Sequence, residues 1–117
     1  MVLGGVSIAY FACGLCDFGS VGIKPEMIIS VRFRLATEGG RSNGVSGETY
    51  ACPLVVGGDA FDCRIAVPPG GMDLGRTYDL ALQFLFPELA LPRMQVGTPI
   101  SLWEGRPIAD GVIAEVI

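Results

Sequence analysis

The chain has 117 residues, of which 50% are hydrophobic and 17% are charged, and its formal net charge is −4. This composition excludes an intrinsically disordered chain and fits one folded domain. The acidic balance excludes a basic field over the whole domain of the kind that binds nucleic acid, and the absence of histidine removes the commonest general base and metal ligand.

Residues 1–23 are predicted to form an apolar extension, in which Asp17 is the single charged residue. The apolar run that ends at Asp17 is shorter than the roughly 20 residues that a transmembrane helix needs. No Lys or Arg precedes this run, which is atypical of a secretory signal. We therefore predict a cytoplasmic protein without a membrane span. A translation start at Met27 is a second interpretation of the same region.

Residues 24–117 are predicted to form the domain proper, because apolar and polar residues alternate through most of it. The first strand alternates with a period of two, so that one side of it is buried and the other carries charge. Its predicted inward residues are Ile29, Val31, Phe33 and Leu35. A glycine-rich loop follows at residues 38–44, where the chain must leave the sheet.

A hairpin is predicted over residues 50–67, with its turn at residues 57–60. Placing Val56 opposite Phe61 directs all the apolar residues of the pair inward. In this register Cys52 and Cys63 are small buried residues on the same face, but they are not direct partners.

Further alternation predicts a strand over residues 77–85, with Leu80, Leu82 and Phe84 on one face, and a closing hairpin around the turn at residues 104–107. Residues 86–95 contain two prolines, which favour an edge strand or an extended crossing. No stretch has the helical spacing of apolar residues over several turns. About six short strands joined by Gly and Pro turns predict an all-β antiparallel barrel or sandwich, and a closed barrel leaves fewer open edges.

The sequence predicts no catalytic, cofactor-binding or metal-binding residues. Cys13 and Cys16 have a metal-motif spacing, but the remaining cysteines, Cys52 and Cys63, are separate strand residues that do not form a second pair. Neither glycine pair, at residues 39–40 or 57–58, stands before a helix that could receive a phosphate. Without histidine or an organised carboxylate pair, no enzyme constellation can be assembled.

The basic residues around the first strand allow two interpretations. Arg32 and Arg34 share the outward face of the strand, Lys24 precedes it, and Arg41 is expected in an exposed part of the loop that follows. These side chains form either an ordinary solvated face or a small cationic patch for phosphate or an acidic partner.

The domain resembles the C-terminal barrel, the third domain, of the translation elongation factor Tu family. The resemblance covers residues 24–117 and rests on short motifs that occur in the family's order. They are Lys24-Pro25 before a strand, Glu-Gly-Gly-Arg at 38–41, Gly47 with Tyr50 before the hairpin, Pro87 after the strand that ends at Phe84, Glu-Gly-Arg at 104–106 and Gly-Val-Ile at 111–113.

This resemblance implies a six-stranded antiparallel closed barrel that is not itself catalytic. In the family, this barrel packs on the middle barrel and the GTPase domain, and it contacts the T-stem of aminoacyl-tRNA and the exchange factor. The present chain has no P-loop, which excludes GTP hydrolysis by this chain alone. It also has Ser-Asn-Gly-Val at 42–45 and Ala51 where the family carries polar or cationic residues, and it has one glycine fewer at Gly105.

We therefore expect a non-catalytic, translation-related binding module whose partner is a protein or, second, tRNA. The alternative is a structural homo-oligomer of barrels assembled through the apolar extension. The candidate partner- or anion-binding residues are Arg32, Arg34, Glu38, Gly39, Gly40, Arg41, Tyr50 and Arg106.

Overall fold

The computed structural model describes residues 23–117 as a closed barrel of six strands with short helical segments. The strands are β1 (Met27–Phe33), β2 (Thr49–Val56), β3 (Asp59–Ala66), β4 (Thr77–Phe84), β5 (Pro99–Trp103) and β6 (Pro107–Val116). The predicted all-β class, the six strands and the closed barrel are confirmed. Apart from Ile23, the predicted apolar extension lies outside the described residues.

The strands follow one another around the barrel in the order β1-β4-β3-β2-β5-β6, and β6 pairs back to β1. Every neighbouring pair is antiparallel, so each described strand is hydrogen-bonded on both sides. This order collects the β1–β2 loop, the β3–β4 loop and the β5–β6 turn at one end, which we call the upper end. The lower end holds the start of β1, the β2–β3 turn, the β4–β5 connection and the end of β6.

Alternate residues of the strands fill the barrel interior, as the two-residue period predicts. The predicted inward residues of β1 and β4 that are buried are Ile29, Val31, Phe33, Leu80, Leu82 and Phe84. The prediction for Leu35 is wrong, since this side chain is 41% exposed. β1 ends at Phe33, and the backbone N–H of Leu35 instead donates to Oε1 of Glu38 at 2.8 Å.

The β2–β3 hairpin has a register two residues away from the predicted one. Val56 lies opposite Asp59, not Phe61. The turn consists of Gly57 and Gly58 alone, whose φ angles of 58° and 87° match a two-residue turn with both central residues in the left-handed region. The predicted four-residue turn is therefore wrong, because the glycine pair closes the hairpin by itself.

The prediction of an extended segment at residues 86–95 is also wrong. This part of the β4–β5 connection contains helix α1 (Pro87–Ala90) and a 3₁₀ turn (Leu91–Arg93). Pro87 occupies the first helical position, where a missing N–H costs nothing because that group has no intrahelical acceptor. A further 3₁₀ turn lies at Ala36–Glu38, and the helix content of the described residues is small, as predicted.

Candidate binding surface

The candidate residues of the sequence lie together at the upper end of the barrel. Pairing of β1 with β6 brings the glycine loop, residues 38–41, against the β5–β6 turn at residues 104–106. Arg32 of β1 and Arg34, just after the end of β1, lie beside this loop, and Tyr50 reaches it from the start of β2. The residues brought together in this way are Arg32, Arg34, Glu38, Gly39, Gly40, Arg41, Tyr50 and Arg106.

The Glu-Gly-Gly-Arg motif at 38–41 and the Glu-Gly-Arg motif at 104–106 bind each other through their arginines. Arg106 donates from Nε to the carbonyl oxygen of Gly39 at 2.7 Å and from Nη2 to that of Gly40 at 3.0 Å. Arg41 donates from Nη1 to Oε2 of Glu104, with which it forms an ion pair. Each motif thus supplies an arginine to the other, and we call this set of residues the arginine clasp.

Tyr50 joins the arginine clasp from β2. Its hydroxyl donates to the same Oε2 of Glu104, and the guanidinium carbon of Arg41 lies 5.4 Å from the centre of its ring, within the range of a cation–π contact. Burial, followed by the hydrogen bond to Glu104, raises the pKa of Tyr50 above its usual value. The phenol therefore remains a protonated donor to this carboxylate at neutral pH.

Two further ion pairs extend this network along the outer face of β1. Arg34 binds Asp110 of β6 with two hydrogen bonds, 2.6 Å from Nε and 2.9 Å from Nη2, in the fork geometry that suits guanidinium and carboxylate. Arg32 donates to Oε1 of Glu38 at 3.1 Å. The N–H of Leu35 and then this Arg32 contact lower the pKa of Glu38, so the carboxylate stays ionised.

Gly40 allows the glycine loop to pass close to the end of β1. It is buried, and a Cβ atom at this position would lie 2.3 Å from the carbonyl oxygen of Arg34. Any side chain would push the loop away from β1 and displace the carbonyl that accepts from Arg106. The loop can therefore adopt this path only with glycine at position 40.

The arginines of this surface are paired within the chain. Arg32, Arg34 and Arg41 each bind a carboxylate, so they do not present an unpaired cationic patch. The loop around Arg41 is exposed, as expected, but the Arg41 side chain itself is only 26% exposed because it packs against Tyr50 and pairs with Glu104. Lys24 lies away from this surface, at the lower end, where its backbone N–H donates to Oε1 of Gln83 at 3.3 Å.

Sequence reasoning missed the two carboxylates that complete the network. Glu104 heads the second Glu-Gly-Arg motif, so its position in that motif was an available signal. Asp110 had no such signal. It reaches Arg34 only because the β1–β6 register places Asp110 opposite Arg32, which lies two residues before Arg34 on the same face.

The described cysteines belong to the hairpin and not to this surface. Cys52 and Cys63 are buried and free, as predicted, but they face each other directly, which corrects the predicted register. The Cys63 thiol lies 3.3 Å from the Cys52 carbonyl oxygen, to which it donates. This interaction with Cys52 and then burial raise the pKa of Cys63 well above its usual value, which makes the thiol unreactive. Cys13 and Cys16 lie outside the described residues, so the prediction about them stays a prediction.

Comparison with known proteins adds no family assignment. No family model matches this chain, and no curated protein matches it either. Within residues 23–117, no helix combines the length and the apolar character needed to cross a membrane.

Proposed function

We propose that this chain is a non-catalytic binding module of the elongation factor Tu third-domain type, which binds a protein partner of the cytoplasmic translation machinery through its upper end. The arginine clasp carries this proposal. Two of the motifs that carry the resemblance, at 38–41 and at 104–106, are far apart in sequence, yet each binds the other, so one physical arrangement accounts for both.

The contacts of the clasp favour binding over catalysis. Arg41, Arg106 and Glu104 use their polar atoms on one another and on loop carbonyls, which fixes the shape of the glycine loop. A loop that is held in place before binding loses less conformational entropy when a partner arrives. The surface therefore offers a preformed shape and not a reactive group.

The same contacts favour a protein partner over tRNA. RNA affinity comes largely from unpaired Lys and Arg side chains that release counterions from phosphates. Here three arginines of the surface are already neutralised by carboxylates, and the chain carries a net charge of −4. A mixed surface of satisfied charges is suited to a protein of complementary shape.

The test compares two amide residues replaced by tryptophan at opposite ends of the barrel. Asn43 is exposed in the glycine loop region, and only its backbone carbonyl contacts Arg41. Gln95 is exposed at the lower end. Immobilised wild-type chain, Asn43→Trp and Gln95→Trp are each exposed to ribonuclease-treated extract of the producing organism, and retained proteins are quantified by mass spectrometry.

We expect a translation protein to be retained by the wild type and by Gln95→Trp and to fall at least about tenfold with Asn43→Trp, which corresponds to a loss of about 1.4 kcal/mol of binding free energy. Equal retention by all three chains would place the binding surface elsewhere. Direct titration with aminoacyl-tRNA and with bulk tRNA at low salt forms the second arm. Micromolar binding of tRNA that weakens steeply with salt would show that the partner is RNA and not a protein.

A further inference from the structure

The lower end of the barrel exposes a group of large apolar side chains. Leu85, Phe86 and Leu89 follow directly after β4 and are 60%, 54% and 63% exposed. Among residues 23–117, most of the exposed large apolar side chains lie at this end: Leu85, Phe86, Leu89, Val96, Val116 and Ile117. A concentration of this kind marks a surface that is covered in the working protein.

Two neighbouring hollows lie beside Leu85, Phe86 and Leu89. Phe61 and Asp62 of β3 face Phe86 and Leu89 across a hollow of about 190 Å³. A second hollow of about 370 Å³ continues along the outer face of the β2–β3 hairpin and has Leu85 on its rim. We call these two hollows and the side chains between them the lower apolar groove.

The described chain begins next to this groove. The backbone N–H of Lys24 donates to the side chain of Gln83, two residues before Leu85. β1 and β4 are antiparallel with Met27 opposite Leu82, so the chain that precedes Met27 runs along β4 towards Leu85. The described chain therefore begins beside the end of β4, close to Leu85 on the rim of the lower apolar groove.

Apolar residues outside the barrel interior are also buried on the neighbouring β1–β4 pair. Ile28 and Ala81 are cross-strand partners whose exposures are only 2% and 0%, yet neither belongs to the interior cluster. Ile23 is likewise buried, at 5% exposure, outside that cluster. In a barrel, positions that alternate with the core normally face water, so the outer face beside the start of β1 is an apolar-packed surface.

We propose that residues 1–22 of the same chain cover the lower apolar groove. These residues carry Asp17 as their only charge, so leaving them in water costs free energy that burial against Leu85, Phe86 and Leu89 recovers. Twenty-two extended residues span up to about 70 Å, more than the largest dimension of the molecule, 36 Å. The segment is therefore long enough to cross the groove.

An occupant from the same chain has an advantage over any other apolar molecule. A tethered segment acts at an effective concentration in the millimolar range, because its point of attachment lies at the groove. A second copy or a foreign partner must also overcome the loss of translational and rotational freedom. In this proposal the chain itself covers the lower end, and the upper end stays available for the partner of the proposed function.

The test uses p-benzoylphenylalanine, a photoreactive residue, in the full chain. One protein carries it in place of Leu89 in the groove, and the control carries it in place of Leu35, which is exposed at the upper end. Each protein is prepared as a mixture of unlabelled and ¹⁵N-labelled chains. After irradiation, cross-linked peptides are identified by mass spectrometry, and the isotope pattern separates links within a chain from links between chains.

We expect position 89 to cross-link to residues 1–22 of the same chain, with a yield at least about tenfold above that from position 35, in line with the effective concentration of a docked segment. Equal yields from the two positions would overturn the proposal, because the segment would then have no preferred site. Links from position 89 to residues 1–22 of a differently labelled chain would contradict the proposal and show that the segment assembles a homo-oligomer. The absence of any cross-link between position 89 and residues 1–22 would contradict the proposal and show that the groove has another occupant.

Discussion

At the scale of single residues, the upper end shows how polar side chains fix a loop without supplying much stability. Arg41 and Glu104 are 26% and 37% exposed, and ion pairs near the surface contribute about 0–1 kcal/mol. The Arg106 contacts with two loop carbonyls act in a similar way. The value of these interactions lies in the geometry that they impose on the glycine loop.

Gly40 is the residue on which that geometry depends most. We expect Gly40→Ala to lower the free energy of unfolding by about 1–3 kcal/mol, because the added methyl group meets the Arg34 carbonyl and the backbone must shift. Gly39→Asn is the matched control. Gly39 has a φ of 89° with open space around its Cβ position, and asparagine tolerates this region, so its cost stays below about 1 kcal/mol. Equilibrium urea unfolding of both variants provides the comparison, and equal losses would contradict the close approach.

The raised pKa values of Tyr50 and Cys63 predict destabilisation at alkaline pH. Both groups ionise at a higher pH when folded than when unfolded, so the folded state retains protons that the unfolded state releases. Their contribution is complete below about pH 8.5, the value for an unfolded thiol, and is lost as the pH rises, with the tyrosine adding its part above about pH 10.

Urea unfolding at pH 8 and at pH 10.5 measures this loss. The Tyr50→Phe variant removes the tyrosine contribution and leaves that of Cys63. We therefore expect the variant to lose less of its unfolding free energy than the wild type between the two pH values. The same loss in both proteins would show that Tyr50 titrates normally in the folded state.

At the scale of elements, the β2–β3 hairpin shows what alternation leaves undecided. Registers that differ by two residues direct the same side chains inward, so the apolar pattern cannot distinguish between them. The turn makes the choice here, since Gly57 and Gly58 both have positive φ and close the hairpin as a pair. The prediction at residues 86–95 failed for a different reason. Pro87 fits the first position of a helix as well as it fits an extended segment, so this proline does not distinguish helix α1 from an extended crossing.

The hairpin turn yields a prediction that separates conformation from contact. Gly58 has a φ of 87° and no neighbouring atom within 4 Å of a Cβ atom built on it, so Gly58→Val is destabilising by backbone strain alone, by about 1–2 kcal/mol. Gly57→Asn retains an Asn-Gly turn of the favoured type. Its effect on the unfolding free energy should stay within about 0.5 kcal/mol. Thermal unfolding of the two variants checks this, and a neutral Gly58→Val would exclude the two-residue turn.

At the scale of the whole molecule, closure of the barrel makes its interior one continuous core. Phe33 is fully buried in that core, so Phe33→Ala should cost about 3–5 kcal/mol. Leu35→Ala provides the contrast, since this exposed residue should change the unfolding free energy by no more than about 0.5 kcal/mol. Denaturant titration measures both, and similar costs at the two positions would mean that Leu35 shares the inward face after all.

The barrel also separates two surfaces of different character. The upper end is polar and its Arg32, Arg34 and Arg41 are paired with carboxylates of the chain, whereas the lower end exposes the apolar groove. The antiparallel order places the two motif loops at one end and the start of β1 at the other. The partner proposed for the upper end and the segment proposed for the lower end therefore do not compete for the same surface.

The amino-acid sequence by itself determined the strands and the class of fold, because a period of two and the Gly and Pro turns are local properties of the chain. It also indicated most of the residues that meet at the upper end, through the related motifs at 38–41 and 104–106 and the basic residues around β1. Only the tertiary structure decided the strand order and the pairing of Arg34 with Asp110. These features depend on which distant strands become neighbours when the barrel closes, and no local pattern of side chains records that choice.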